Sequence, residues 1–532
     1  MKTASVSFQE HIGTPSPRVI IPVFEDQPDN VKTQGARQST KFNGKTGQLQ
    51  PISHPFDQTQ VYLLGLGKQA DFGPLVAAKV GESIFKSLPN DAPQNLQIDG
   101  RYLPQGIVDS VSAQIADAVI TASYAFTKYK TMPNPASDKA KIDTLNVQVV
   151  NAAAAENAYA PLAAVTRGQF LAADVTNEPS NILHPKSYSE IIKDELESLG
   201  VKVWVLEKDD LEALQMAGVL AVSAGANIPA RVVLMEYDGT NGQQPEALGL
   251  AGKGVTFDTG GISIKPSANM GDMKMDMGGS GVMVGSIYAA ASTKMPIRIL
   301  GIVGLTKNMP DGASTTPGDV IKTGSGKTVT DDNTDAEGRL VLMELLTLLQ
   351  HQEKLAVVPK MADFKPVKLS AIVDAATLTG AQVVALGNKR AAVFSNDESL
   401  PGFSLDQGLT LAEKFNRAGR AVNELAWPMP LGEDYAAVMR RSSIADLTNL
   451  GSGAGSSTAA EFLHFFIEKD ENGKDKVPWV HIDMAGPGIP DDKISKGWGV
   501  RLMVEMFKRH FQLGAPDPSN RPTPPPFNGP MC

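Results

Sequence analysis

From Asn177 onward, short apolar runs return seven times, and they constrain most strongly what this chain can fold into. They are Val201–Glu207, Ala230–Tyr237, Glu246–Asp258, Ile297–Leu305, Lys368–Leu378, Arg390–Asn396 and Trp479–Gly486. Helical patterns separate them. Several are apolar on both faces, and such strands need cover on both sides. The pattern predicts an α/β domain, a sheet covered by helices, with its chemistry at strand ends and the adjoining loops.

A chain of 532 residues exceeds what one hydrophobic core usually supports, so two domains are expected. The division is placed at 1–165, ending in a linking helix, and 166–532. In the first part, Arg18–Phe24, Gln60–Gly67 and Leu145–Val150 read as strands. The stretch Glu25–Pro55 reads as loop, being polar and rich in Gly, Gln and Thr. Asp109–Tyr129 reads as a helix with Asp109 as its cap. The Ala-rich run from Asn151 to Ala173 is built of strong helix formers, interrupted by Pro161. The Pro-rich tail Pro516–Met531 is expected to be extended surface chain.

Charge and cysteine content exclude some classes. The 49 basic and 58 acidic residues give a net charge of -9, which offers no reason to expect nucleic acid as a partner. The single cysteine, Cys532, permits neither an intrachain disulfide nor a thiolate metal cluster. No apolar segment is long enough for a signal peptide core or a membrane span, so a cytoplasmic protein is expected.

Three segments set ionisable residues among apolar or glycine-rich neighbours. GKGVTFDTGGISIKP carries Lys253, Asp258 and Lys265; KMDMGGSG carries Asp276; NTDAEGRL carries Asp335, Glu337 and Arg339. Asp258 closes an apolar strand, and the glycines after it allow close backbone approach. Asp276 precedes a helix-like run, where a carboxylate is also favourable as a simple cap. Four converging carboxylates repel one another unless cations neutralise them. Two divalent ions can do so and clamp both a water and a developing oxyanion. Oxygen ligands suit Zn, Mn, Co or Mg. Spacing alone leaves solvated and capping roles open. A guanidinium such as Arg339 can hold a planar anion, and a lysine such as Lys265 can steady an oxyanion; surface ion pairs remain the alternative. The seven histidines form no HExxH pattern. Gly324–Thr328 lacks the phosphate-loop spacing, because position 321 is Ile, and no GxSxG element is present.

At NTDAEGRL (Asn333–Leu340) the chain closely resembles the leucyl aminopeptidases of the cytosolic, two-zinc, hexameric type. GKGVTFDTGGISIKP, MDMGG, NMPDG, PGDVI, SGKTV, DAATLTGA, ALGN and WVHIDMAG extend the likeness over residues 165–510. The resemblance implies a larger C-terminal catalytic domain with a mixed sheet covered by helices, plus a smaller N-terminal α/β domain. It implies metal ligation by Lys253, Asp258, Asp276, Asp335 and Glu337, with Asp258 and Glu337 bridging two ions. It makes Lys265 and Arg339 catalytic, the latter holding a bicarbonate that serves as general base. Met273, Thr377, Leu378 and Gly380 are implied to bind substrate. The implied reaction is release of an N-terminal residue, preferably Leu or another apolar one, from peptides or amides with a free α-amine. A homohexamer, a dimer of trimers, is implied as well.

The chain departs from the family's usual pattern at KTVTDDN, which puts Asp331 and Asp332 beside the expected site, at ASTTPGD, and mildly at MDMGGSG. None of these removes an expected ligand. The alternatives are a dipeptidase acting on substrates such as Cys-Gly, and a structural or nucleic-acid-binding family member of low activity.

Overall fold

The computed structural model describes residues 4–13, 15–28, 42–52, 60–89, 93–132, 141–397 and 409–511. The Pro-rich tail and Cys532 lie outside these residues.

Three sheets form among the described residues. The first contains β1 (Ser5–Gln9), β2 (Arg18–Val23), β3 (Leu49–Ile52), β4 (Gln60–Gly65), β5 (Pro93–Asp99) and β6 (Lys141–Gln148), in the order β1-β6-β5-β2-β4-β3. All pairs but β3–β4 are parallel. Two of its strands correct the sequence reading. β1 lies before the first strand expected from the sequence, Arg18–Phe24, and β3 falls inside the expected loop Glu25–Pro55. Both are edge strands, where one side of the backbone goes unpaired and no continuous apolar run is needed. β3 even tolerates Pro51, as an edge permits.

The helix expected near Asp109 spans Val108–Ala122, but Asp109 is not its cap. Asp109 accepts instead from the backbone N–H groups of Val150 (3.2 Å) and Asn151 (3.1 Å), which ties this helix to the start of the next. That next helix, Ala152–Asn177, is capped by Asn151, whose side chain accepts from the Ala154 N–H at 2.9 Å. It runs through Pro161 unbroken, with the proline on an exposed face. Ala155, Phe170 and Ala173 pack into the core of the first sheet. Val165, Leu171 and Val175 pack into one core of the second.

The larger, C-terminal sheet contains β7 (Lys202–Leu206), β8 (Arg231–Asp238), β9 (Glu246–Asp258), β10 (Arg298–Asn308), β13 (Lys368–Ala376), β14 (Ala391–Ser395), β15 (Ala426–Pro428) and β17 (Trp479–Asp483). β11 (Asp319–Lys322), β12 (Thr328–Asp331) and β16 (Leu447–Thr448) make a separate small sheet. The large sheet has the order β15-β14-β17-β13-β9-β10-β8-β7 and is mixed. Its four central strands, β17, β13, β9 and β10, are all parallel. Helices cover both faces. Gly278–Ser292 is buried almost all round between β9 and the Ala152–Asn177 helix, and Glu337–Gln350 packs on the other face. The fold is thus mixed α/β, with a large C-terminal sheet domain and a smaller N-terminal one, as the sequence predicts. Four central strands end at one edge of the sheet. Their last residues or the ones next to them are Asp483, Thr377, Asp258 and Asn308.

A buried acid outside that edge gives a stability test. Glu424 accepts from the Leu502 N–H at 2.7 Å. Burial pushes its carboxyl up to about 7, against the backbone donors that favour the charge. The folded chain therefore holds this proton between the ordinary glutamate value and about 7, and its stabilising share is lost as pH rises through that window. Glu424→Gln removes this contribution. Between pH 4.5 and 8 the wild type should lose about 3 kcal/mol more than the variant. Urea denaturation at both pH values measures the difference.

Candidate active site

The site is built at the C-terminal edge of the parallel strands. Lys253 and Asp258 come from β9, which is buried nearly throughout. After Asp258, Gly260 (φ 86°) and Gly261 (φ 64°) adopt left-handed backbone. A Cβ on Gly260 would lie 2.8 Å from Asp335 Oδ1, and one on Gly261 would lie 2.9 Å from Thr334 Oγ1. The loop so formed is stapled to the loop before Asp335. Thr334 Oγ1 donates to the Gly260 carbonyl at 2.6 Å and accepts from the Ser263 N–H at 2.8 Å. Asn308, at the end of β10, donates to Asp258 Oδ1 (2.8 Å) and to the Thr334 carbonyl (2.9 Å).

Asp276 follows the turn of helix Met270–Met275. It does not cap the helix behind it. Its Oδ1 accepts from Lys253 Nζ at 2.7 Å and from Thr377 Oγ1 at 2.8 Å. Glu337 is the first residue of its helix, and its Oε1 lies 2.8 Å from Lys253 Nζ. The next residue must be small. A Cβ on Gly338 would lie 2.7 Å from Lys253 Nζ. Lys265 reaches Asp258 Oδ2 at 2.7 Å and also contacts Asp335. Asp258, Asp335 and Glu337 each bring one carboxylate oxygen within 4.8 Å of the others.

The electrostatics follow from this crowding. Burial raises the Asp258 carboxyl, and Glu337 adds to it. Burial lifts Asp276 further, with Lys253 opposing. Burial works against the charge on Lys253, but Asp276, Glu337 and Asp258 outweigh it and raise its pKa. Four carboxylates thus face two ammonium groups. Asp276 Oδ2 and Glu337 Oε2 are buried without a hydrogen-bond partner. Orphaned buried carboxylate oxygens are costly, and a cation satisfies them. The donor set fits divalent metal ions: carboxylate oxygens are on offer, and the Lys253 nitrogen becomes a donor once the charge of a bound ion displaces its proton.

Arg339 stands two residues further along the same helix, buried. Nη1 donates to the Asn449 carbonyl at 2.8 Å, and Nε has no partner. Burial pushes its pKa down to about 10, against the pull of Glu337 and Asp483. Lys265, Asp335, Arg339, Leu378, Gly380 and Leu450 help line one cleft of about 220 Å³. Thr377 is turned inward to Asp276 and does not line it. Met273, half-buried on the turn before Asp276, does not line it either. A second cleft of about 270 Å³ lies at the far end of the helix Gly455–His464. It holds no cluster of like charges: Arg440 pairs with Glu433 and His464 with Glu461 and Asp475, so the crowded, uncompensated carboxylates sit beside the smaller cleft.

Sequence reasoning missed three contributors. Asn308 fixes Asp258, as described. Asp483 accepts from the Leu378 N–H (3.2 Å) and from Thr379 Oγ1 (2.6 Å), holding that wall of the cleft. Its position at the end of an apolar strand, in WVHIDMAG, was the available signal. Asn449 had no signal. Asp331 is buried and hydrogen-bonded to Asn449, and burial pushes its carboxyl up to about 6. Asp332 accepts from Thr448 Oγ1 at 2.6 Å.

A sequence model described as the cytosol aminopeptidase family, catalytic domain, matches residues 170–504, and one for that family's N-terminal domain matches residues 29–133. A probable cytosol aminopeptidase of Rickettsia bellii (strain OSU 85-389) is 38% identical over 486 residues, 89% of this chain and 90% of that protein. One from Chelativorans sp. (strain BNC1) is 40% identical over 408 residues, 75% of each. Among solved structures, the bottromycin maturation enzyme BotP in complex with Mn superposes with a TM-score of 0.75 at 26% identity, covering 93% of this chain and 99% of that one.

Proposed function

This chain belongs to the cytosol aminopeptidase family, and on that premise we propose that it releases the N-terminal residue of peptides and amino-acid amides with a free α-amine, preferring leucine and other apolar residues. One observation carries the reading: four carboxylates and two lysines converge beside a cleft that Arg339 also lines. Lys253, Asp258, Asp276, Asp335 and Glu337 hold two divalent ions in this reading, zinc or exchangeable manganese, cobalt or magnesium. When bound, the ions supply Lewis acidity and a more acidic water, and bicarbonate at Arg339 supplies a general base.

The chain's own residues do the rest. Lys265, anchored between Asp258 and Asp335, donates a hydrogen bond to the scissile carbonyl oxygen as negative charge develops there. Arg339 orients a planar anion with its unused Nε and neighbouring N–H groups. Leu378 gives the cleft an apolar wall, and Gly380 leaves room beside it. Thr377 holds Asp276, and Met273, which does not line the cleft, is given no substrate contact in this reading. A division near residues 165 and 166, a homohexamer and a cytoplasmic location belong to the same reading. Among the described residues no helix is long and apolar enough to cross a membrane.

The test is leucine release from leucinamide by metal-stripped protein, before and after addition of Mn or Zn, with N-acetyl-leucinamide alongside. Cleavage of the free-amine substrate alone, and only with metal, is expected. No cleavage of either by folded, metal-loaded protein overturns the reading. Comparing dipeptides with longer peptides then separates a dipeptidase from a broader aminopeptidase.

A further inference from the structure

We propose that Asn449 is a positioning residue for Arg339, acting as a clamp that fixes the guanidinium relative to Asp335. The inference rests on the reading of Arg339 just given. Asn449 follows β16 and is fully buried. Its Oδ1 accepts from the backbone N–H groups of Asp332 (2.8 Å) and Asn333 (3.2 Å). Its Nδ2 donates to Asp331 Oδ1 (2.7 Å) and to the Asn333 carbonyl (2.9 Å). Both donors and both acceptor positions of the amide are filled, so its orientation is fixed. Its backbone N–H donates to the Thr330 carbonyl at 3.0 Å. Its backbone carbonyl accepts from Arg339 Nη1 at 2.8 Å.

One residue therefore grips the chain that leads into Asp335 with its side chain and Arg339 with its main chain. The Arg339 side chain has an unpartnered Nε, so this carbonyl sets where the guanidinium points. The grip depends on Asp331, one of the two acids that distinguish the stretch before NTDAEGRL. Without the Asp331 carboxylate, Nδ2 loses its charged acceptor, the strongest of the four hydrogen bonds that orient the amide, and the grip loosens.

Asn449→Ala leaves the residue in place but frees its backbone. Displacement of a catalytic group by about 1 Å can cost on the order of 100-fold. Leucinamide hydrolysis by Asn449→Ala should show kcat reduced about 10- to 100-fold, with KM changed less than about threefold. Combined with Arg339→Ala it should be no slower than Arg339→Ala alone, because both act through one group. Asp331→Leu should fall with Asn449→Ala, and Asp331→Asn, which keeps an acceptor for Nδ2, should restore most of the loss. Labelling of Arg339 by phenylglyoxal, read by mass spectrometry on that residue, should speed up several-fold in Asn449→Ala.

Unchanged labelling overturns the clamp, and so do multiplicative losses with Arg339→Ala. If Asn449→Ala does not fold, the two Asp331 variants decide by the same readouts. Faster labelling in a protein whose wild type cleaves no leucinamide sustains the clamp and sinks the aminopeptidase reading instead.

Discussion

Glu337→Gln should lower kcat/KM for leucinamide by roughly 10³-fold or more, while the metal-free protein becomes no less stable than wild type. The two halves of this result have one cause. Glu337 is buried, with one oxygen on Lys253 and the other unpartnered. It crowds Asp258 and Asp335 and raises the carboxyls of Asp258 and Asp276. Neutralising it relieves that repulsion, and Lys253 keeps Asp276 at 2.7 Å. The same change removes a cation ligand in the proposed reading. Wild type at a hundredfold excess of metal over Kd gains about 2.7 kcal/mol, read as a rise in Tm, and the variant should lose most of that rise. A variant that keeps both its activity and its metal-induced rise contradicts the ligand assignment.

Lys265→Met should cut kcat by about 10²- to 10³-fold, the usual effect of removing one oxyanion donor. Its effect on the metal-free protein has the opposite sign. Lys265 is the ammonium on Asp258 Oδ2 and the contact to Asp335, and its loss leaves both carboxylates facing Glu337 with less compensation. The metal-free variant should lose about 1–3 kcal/mol, discounted from the buried-pair range because the side chain is 20% exposed. Added metal should restore most of this, so the rise in Tm becomes larger than in wild type. Thermal melts with and without Mn on both variants measure the pair. Equal signs would show that packing, not charge, governs the site.

The large sheet was legible because its strands are apolar on both faces, a demand that only a covered sheet meets. β9 was delimited to the residue, Glu246–Asp258: its apolar residues run from Ala247 to Phe257 around Lys253, between Pro245 and the Thr259-Gly260-Gly261 turn. The small domain was less legible. β5, PQNLQID, is central in its sheet yet mostly polar in composition, and β1 and β3 lie at edges. The ionisable residues of the site stood out against their apolar neighbours, but their convergence did not follow from spacing. Lys253 meets Asp276 across 23 residues and Thr377 across 124. The likeness of NTDAEGRL and its companion strings carried that part. Asn449 was invisible for the same reason in stronger form: its partners Asp331 and Asn333 lie more than a hundred residues away, and an asparagine after a two-residue strand looks like any loop residue.

The Ala152–Asn177 helix sets the terms on which the two halves of this chain can be traded. It begins on Asn151 beside the first sheet and ends in the core of the second, so residues 165 and 166 fall within one continuous helix. At its last residue, Asn177, Nδ2 donates to Tyr124 Oη and to the Ser495 carbonyl, and the Asn177 carbonyl accepts from Lys274, two residues before Asp276. A chimera joined in the middle of this helix inherits two half-matched faces at once, one for each core. Moving the whole helix with either domain leaves one face matched and the other facing a foreign core, so recombination between relatives should preserve function only where the residues that meet that second face travel with it.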